Sequence, residues 1–312
     1  MDTQIKKPVE DYISAITSWL SNSQIGKTIA KRKQIAQVLF WPFLDHNITV
    51  ETIDAIQVSL NTVPFQFAMG NMFEQLVAYM QDNGLPQFTR SFWENVAKIT
   101  PTGLNTSPNA CCGKYELLYR LVRPNAVQPN KGDILDEGVV IELKGVEARI
   151  CDPNLSGLTY ITQTNTIFEM CNEFDGNATT TERWKDQKVF EIEKFQHKAH
   201  YSVQFAKNPV KARDLIGNYL IQNGFMDGPE AFNAAILIIG DKGEFAQDVL
   251  QRITLTTFFN KYKEKQGFDK IIIFGDGTNV KFIETVEDLD QIEIEKDFFR
   301  IGQKNDVGWY VR

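Results

Sequence analysis

A short pair of strand-forming segments joined by a two-residue turn constrains the fold of this chain more than any other feature. Residues 131–136 (KGDILD) and 139–144 (VVIELK) both have the composition of short β-strands, and Glu137 and Gly138 lie between them. A two-residue connection that ends in glycine is typical of a β-hairpin. The sequence therefore predicts two antiparallel strands joined by a Glu137-Gly138 turn.

This turn also predicts which side chains face one another. With two residues in the turn, Asp133 lies opposite Glu142, and Lys144 projects from the same face as Glu142 because side chains alternate along a strand. Facing side chains have Cβ atoms about 4.5–5.5 Å apart, so two carboxylates there can share one divalent cation. A turn one residue longer would place Asp133 and Glu142 on opposite faces.

The apolar residues of the hairpin fit the same register. Ile134 is expected to face Ile141, so that one face is buried and the other holds the charges. The apolar half of the pattern consists of Ile134, Val139, Ile141 and Leu143.

The pattern Gly132-Asp133 followed by Glu142-Leu143-Lys144 resembles the PD-(D/E)XK phosphodiesterase superfamily, which includes many restriction endonucleases and DNA repair nucleases. Asp133 matches the first acid of the motif, and Glu142 and Lys144 match its acid-x-Lys. Glu116, in a helix-like segment before the hairpin, matches the helix glutamate that many members add. The match covers roughly residues 111–240, and glycine stands before Asp133 where the motif has proline.

The resemblance implies a Mg²⁺-dependent DNA endonuclease, with Mn²⁺ able to substitute. Asp133 and Glu142 would hold the metal together with the Leu143 carbonyl, and Glu116 would support that metal or a second one. Lys144 would orient the attacking water or stabilise charge on the phosphate. The first expectation is a restriction-type enzyme, which often works as a homodimer.

Other interpretations stay open. A repair, recombination or mobile-element nuclease fits the same residues, and so does an RNA-directed nuclease. The core could instead belong to a non-catalytic DNA-binding or structural subunit with a protein partner in a larger assembly. The simplest alternative is an ordinary hairpin with a solvated charged face, because charged pairs across a sheet are common surface features.

The rest of the chain predicts an α/β protein. Residues 1–105 are expected to form a helical N-terminal subdomain, and residues 106–312 a restriction-endonuclease-like core, in which helices flank a mixed β-sheet, with C-terminal additions. The expected helices are two over residues 9–42, the second stopped by Pro42, then 49–60, 65–80, 88–99, one around Glu116, 181–207, 209–224 and 243–265. The expected strands beyond the hairpin are 147–151, 231–240, 270–275, 280–284 and 291–295.

Composition limits the class of protein and its partners. The net charge of −7 argues mildly against broad electrostatic binding of nucleic acid, but basic residues cluster at residues 27–33 and 183–213 and could contact phosphates. No apolar run reaches the roughly 18 residues that span a bilayer. The N-terminal segment has no apolar core typical of a secretory signal. A cytoplasmic protein without a membrane partner is therefore expected.

Overall fold

The structure, a computed structural model, describes residues 3–26, 28–99, 114–145, 205–222, 224–275 and 279–291. The chain divides into two compact units. The first takes Met1–Val146 and Gln266–Ile292 with Arg312, and the second takes Glu147–Lys265 and Glu293–Val311. The sequence-based division at residue 105 falls inside the first unit.

The described chain contains α-helices, β-strands and one 3₁₀ helix, Glu287–Gln291. The helices are α1 Thr3–Asn22, α2 Ile29–Asp45, α3 Val50–Thr62, α4 Met72–Asp82, α5 Arg90–Lys98, α6 Lys114–Val122, α7 Pro209–Gln222, α8 Gly228–Ile238 and α9 Gln247–Gln266. The strands are β1 Gly70–Asn71, β2 Ile134–Asp136, β3 Val139–Gly145, β4 Lys270–Gly275 and β5 Asn279–Ile283. The α/β class predicted from the sequence is confirmed.

The strands form one five-stranded mixed sheet in the order β1-β5-β4-β3-β2. Strands β3 and β4 run parallel, and every other neighbouring pair is antiparallel. All strands lie in the first unit, so the hairpin of β2 and β3 forms one side of a sheet whose centre comes from a much later part of the chain. A mixed sheet flanked by helices is what the sequence predicts at this level of detail.

Polar capping residues mark the start of helices α2 to α5. The side chains of Thr28, Thr49, Asn71 and Thr89 each accept a hydrogen bond from a backbone N–H in the first turn of α2, α3, α4 and α5, respectively. Such caps satisfy donors that have no partner inside the helix. Thr49, the first residue of the helix predicted over residues 49–60, is therefore the cap of α3.

Two expected helix limits are wrong. Helix α2 continues through Pro42 to Asp45, although an internal proline costs about 3 kcal/mol. Burial of Phe43 in the last turn of the same helix offsets this cost. Helix α4 begins at Met72 rather than at residue 65, because Asn71 supplies the cap.

The N-terminal helices share a continuous apolar core with one face of the sheet. This core contains Trp19 of α1, Trp93 of α5 and Leu117 of α6, and it also contains Ile141 of β3 and Phe274 of β4. Helix α6 therefore covers the sheet face that carries Ile141. Because this core extends from α1 to the sheet, the described residues between 3 and 99 pack as part of the unit that holds the hairpin.

The expected strand over residues 231–240 is wrong, because this segment forms helix α8. Pro229 lies in its first turn, where a missing N–H costs nothing. Its buried residues are Ala231, Ala234, Ala235 and Ile238, which follow the spacing of one helical face. The sequence of this segment is apolar at nearly every position, as in a buried strand. In the structure, only one face of the helix is buried.

The later strands and helices agree better with the sequence. Helices α7 and α9 and strands β4 and β5 occupy the predicted segments to within a few residues. The expected strand over 147–151 and most of the expected elements over 181–207 and 291–295 lie outside the described residues. Within the described ranges, no helix is long and apolar enough to span a membrane.

Candidate functional site

From Ile134 to the turn, the hairpin has the turn and the register that the sequence predicts, but β2 begins at Ile134, so the predicted pair of Asp133 and Glu142 lies outside the strand ladder. Strand β2 pairs with β3 through Ile134 and Ile141, and the pairing continues to the turn. Both turn residues have positive φ, 50° for Glu137 and 85° for Gly138. This conformation matches the right-handed twist of a two-residue hairpin, and Gly138 adopts it without strain.

Asp133 lies just before β2 and is held to β3 at two points. Its backbone N–H donates to the Ile141 carbonyl at 3.0 Å, and its Oδ2 accepts a hydrogen bond from the Leu143 N–H at 2.8 Å. Gly132, with φ 75°, permits this approach, because a Cβ there would lie 2.6 Å from a methyl carbon of Val140. The position before Asp133 therefore favours glycine for a steric reason.

Glu142 and Lys144 lie on the same face of β3 and contact each other. Lys144 Nζ donates to Glu142 Oε1 at 2.6 Å. The Glu142 residue is only 5 % exposed, and the Lys144 side chain is 17 % exposed. The simplest alternative, an ordinary hairpin with a solvated charged face, does not describe β3, because Ile141, Glu142 and Leu143 are all buried.

The site concentrates negative charge in poorly solvated surroundings. The pKa of Asp133 is raised to about 6, mainly by burial and also by the nearby Glu142 carboxylate, while the Leu143 N–H and Lys144 oppose the shift. A carboxylate near a second carboxylate is costly to ionise unless a cation is close. Lys144 lies near both acids and donates a hydrogen bond to Glu142. This arrangement suits the binding of an additional cation.

The Leu143 carbonyl lies on the same side of β3 as Asp133. In a strand, the N–H and C=O of one residue point to the same neighbour, and the Leu143 N–H points to Asp133. The ladder of β2 ends at Ile134, before it reaches Leu143. The carbonyl is therefore directed to the region beside the Asp133 carboxylate, as the motif requires.

Glu116 is in the first turn of α6 and is half-buried. Its neighbour Tyr115 lies over Gly145, where an added Cβ would be 2.8 Å from the ring, and it stacks on Phe274 with 4.5 Å between ring centroids. Helix α6 packs on the sheet face opposite Glu142, but its first turn lies at the end of β3. The role of Glu116 as a metal ligand stays a prediction.

The donor set of the hairpin fits a hard divalent cation. Asp133 and Glu142 provide two carboxylates, and Leu143 provides a carbonyl, which are the oxygen ligands that Mg²⁺ accepts along with several waters. In the part of the chain that the structure describes, no group of three or more His, Cys, Asp or Glu side chains is placed to hold a metal. In this conformation a cation at the hairpin would use two side chains and complete its shell with backbone oxygen and water, and Glu116 would have to move to become a third ligand.

A second buried ionic cluster lies on the other face of the hairpin. Asp136 accepts hydrogen bonds from Arg123 Nε at 2.7 Å, from Arg123 Nη2 at 3.0 Å and from the Tyr119 hydroxyl at 2.8 Å. Arg123 also donates to the Phe65 carbonyl and pairs with Glu137. Burial and the Asp136 charge raise the pKa of Tyr119, so the phenol stays protonated and donates.

The sequence analysis did not find this cluster. One signal was present, because Asp136 follows Ile134 on the apolar face of β2, where an acid needs a partner. The partner could not be assigned, since several basic residues were available and only the packing of α6 brings Arg123 to that face. The basic residues at 183–198 lie outside the described residues.

The chain was compared with protein-family models, with curated proteins and with solved structures, and none of them matches it. Functional inference therefore rests on the residues and geometry described above.

Proposed function

We propose that this protein is a Mg²⁺-dependent DNA endonuclease with a restriction-endonuclease-like core, and that the Asp133, Glu142 and Lys144 side chains form its active site. The observation that carries the proposal is the buried pair of acids held beside a lysine on one hairpin, with the pKa of Asp133 raised to about 6. Buried clusters with perturbed pKa values are common at functional sites. Mn²⁺ is expected to substitute for Mg²⁺.

Each side chain has a separate task in this proposal. Asp133 and Glu142 would hold the cation with the Leu143 carbonyl, and Glu116 would reach the site from α6. The chemistry that Mg²⁺ supplies at such a site is a lower pKa for water and neutralisation of phosphate charge. Lys144, released from Glu142 when the cation takes that carboxylate, would orient the attacking water or stabilise charge that develops on the phosphate.

The hairpin geometry supports this assignment because it restrains the acids before any ligand binds. Asp133 is fixed by the Leu143 N–H, and Glu142 is fixed by Lys144. Such preorganisation removes the cost of arranging the site during the reaction. We propose the restriction-type enzyme first, working as a homodimer in the cytoplasm, and a repair, recombination or mobile-element nuclease second.

The test is incubation of the purified protein with supercoiled plasmid, linear duplex and single-stranded DNA in Mg²⁺, Mn²⁺ or EDTA. Metal-dependent products are expected from the wild type and not from Glu142→Gln. The matched control is Glu137→Gln, which changes an exposed acid of the same hairpin and should leave cleavage intact. Discrete bands would indicate site-specific cutting, and cleavage of RNA alone would redirect the proposal to an RNA nuclease.

A second candidate is a non-catalytic subunit of a larger DNA-handling assembly with the same core. The Glu142–Lys144 contact of 2.6 Å favours it, because a lysine already neutralises one of the two acids. In that case Mg²⁺ or Mn²⁺ would not raise the melting temperature of the wild type more than that of Asp133→Ala. Absence of cleavage by the wild type on every substrate, together with absence of a metal-dependent shift, would overturn the nuclease proposal.

A further inference from the structure

Helix α2 has an exposed apolar face on the side away from its buried residues. Trp41 is 60 % exposed, and Val38 and Leu44 are each 43 % exposed. Their spacing of three residues places them along one side of the helix, whereas the buried residues, such as Leu39 and Phe43, follow the opposite side. Large apolar side chains that share an exposed surface often mark a contact with another molecule.

Trp41 lies in the middle of this face, and its ring is already supported by the protein. It packs edge-on against the ring of Phe40 with 5.3 Å between the centroids, and Phe40 in turn contacts the ring of Tyr12 in α1. A side chain that is held before binding loses little conformational entropy when a partner covers it. Tryptophan is also one of the residues that contribute most to protein interfaces. Trp41 is therefore suited to anchor a contact.

The charges of α2 run against the dipole of the helix. Its first five positions contain Lys31, Arg32 and Lys33, and its last residue is Asp45. Anions are favoured at the N-terminus of a helix and cations at its C-terminus, so each end of α2 carries the unfavourable sign. An antiparallel second α2 reverses this relation, because the acidic end of one helix then lies beside the basic end of the other.

Helix α8 provides the contrast, because it also exposes large apolar side chains, those of Phe232, Ile236 and Leu237. The charged residues at its start are the acids Asp227 and Glu230, which follow the helix dipole, and residues 231–239 carry no charge. An antiparallel copy of α8 would bring no basic end to the acidic one. Charge complementarity with a second copy therefore distinguishes α2 from α8.

We infer that α2 is the interface of a two-fold homodimer, in which the α2 helices of two copies lie antiparallel with Trp41 of each copy at the centre. A two-fold interface uses the same surface twice, so the surface must be complementary to itself, as α2 is. The inference rests on the homodimer of the proposed function, for which it names the surface, and it requires no catalytic step.

The size of this surface sets the expected affinity. A helix of 17 residues is about 25 Å long. One face of such a helix buries less than the roughly 800 Å² per partner of a standard protein interface. The dimer is therefore expected to be weak, with a Kd on the order of micromolar.

Sedimentation velocity of the full chain from about 1 to 100 µM would measure this Kd. Trp41→Ser should raise the Kd at least about 10-fold. The matched control is Val58→Ser on α3, because Val58 is 66 % exposed and lies outside the proposed surface, so its Kd should equal that of the wild type.

A second pair of variants tests the antiparallel arrangement. Asp45→Lys places a base beside the basic end of the other helix, so it should raise the Kd about 3- to 10-fold at low salt. Addition of Lys33→Glu should bring the Kd back toward that of the wild type. Since a lysine at the C-terminus favours the dipole of its own helix, the melting temperature of Asp45→Lys should not fall, and the weaker dimer cannot come from unfolding.

A wild type that stays monomeric over this range would overturn the inference, and so would equal Kd values for Trp41→Ser and Val58→Ser. Failure of the nuclease assignment gives a different result. A dimer that Trp41→Ser dissociates but that cleaves no DNA would keep the interface and overturn the nuclease. A monomer that cleaves DNA in a metal-dependent way would keep the nuclease and overturn the interface.

Discussion

Two buried acid sites lie on one hairpin, one on each face of the sheet, and they differ in how their charge is balanced. Asp136 receives two hydrogen bonds from Arg123 and one from Tyr119. Asp133 receives one backbone N–H and lies beside a second acid, with Lys144 as the nearby cation. The Asp136 carboxylate therefore has a hydrogen-bonded cation at both of its oxygens, whereas Asp133 lies beside a like charge, which the cation of the proposed function would balance.

This difference separates a structural ion pair from a candidate active site. A buried pair with full hydrogen bonding fixes geometry, and loss of one partner leaves an uncompensated charge. A pair of like charges is retained at a cost, so selection for function is a reason to keep it. The Arg123–Asp136 pair also helps to hold the hairpin that carries Asp133 and Glu142, because Arg123 donates a hydrogen bond to the Phe65 carbonyl.

The largest expected effect is on cleavage. Asp133→Asn and Glu142→Gln each remove a metal-binding charge with little change in volume, so the rate in Mg²⁺ should fall at least about 10³-fold. Single-turnover kinetics on plasmid DNA would measure it, with the melting temperature as a check on folding. Rates within about tenfold of the wild type would show that the two acid sites do not differ in the way proposed.

The next effect is on stability and comes from the other face. Arg123→Met leaves Asp136 buried without its cation, so the free energy of unfolding should fall by about 3–5 kcal/mol. Urea denaturation would measure this, with Arg90→Met as the control, since Arg90 forms exposed ion pairs with Glu74 and Glu94. A loss below about 1 kcal/mol for Arg123→Met would show that this pair contributes no more to stability than a surface ion pair does.

The Asp133 site should also make the stability of the protein depend on pH. The pKa of Asp133 is raised from 3.8 to about 6, so the folded state retains a proton that the unfolded state loses. The resulting stabilisation is present below about pH 4 and is lost as the pH rises through about 6, which amounts to about 1–3 kcal/mol. Asp133→Asn should lack this loss.

Urea unfolding of the wild type and Asp133→Asn from pH 4 to pH 8, in EDTA, would measure the difference. Addition of Mg²⁺ should restore stability to the wild type at about pH 7 and not to the variant, because the cation binds the ionised acid in the folded state. Parallel pH profiles for the two proteins would show that Asp133 has an ordinary pKa and would remove the contrast with Asp136.

The smallest expected effect is on stability, and it comes from Gly132, the glycine that lets Asp133 approach β3. Gly132→Ala places a Cβ against Val140 in a backbone conformation that favours glycine, so it should cost about 1–3 kcal/mol. Gly138→Ala also has positive φ but meets no atom within 4 Å, so its cost should be smaller, about 1 kcal/mol. Thermal unfolding of both variants would rank them, and equal costs would mean that Gly132 has no steric role.

Much of the hairpin could be predicted because its determinants are local. The Glu137-Gly138 connection sets the turn, and the alternation of apolar residues sets the register. Local patterns also predicted the helix over residues 49–60 and the strand at residues 270–275. The segment at 231–240 was predicted wrongly, because a short apolar run fits both a buried strand and a helix until its neighbours are known.

The sequence by itself determined the residues of the candidate site, their order and the register that brings Asp133 toward Glu142. Only the tertiary structure decided that Glu142 is buried, that β3 pairs in parallel with β4, and that Arg123 neutralises Asp136. The physical reason is the range of the interactions. Turn geometry and side-chain alternation act over a few residues, whereas desolvation and charge pairing depend on which distant segments pack together.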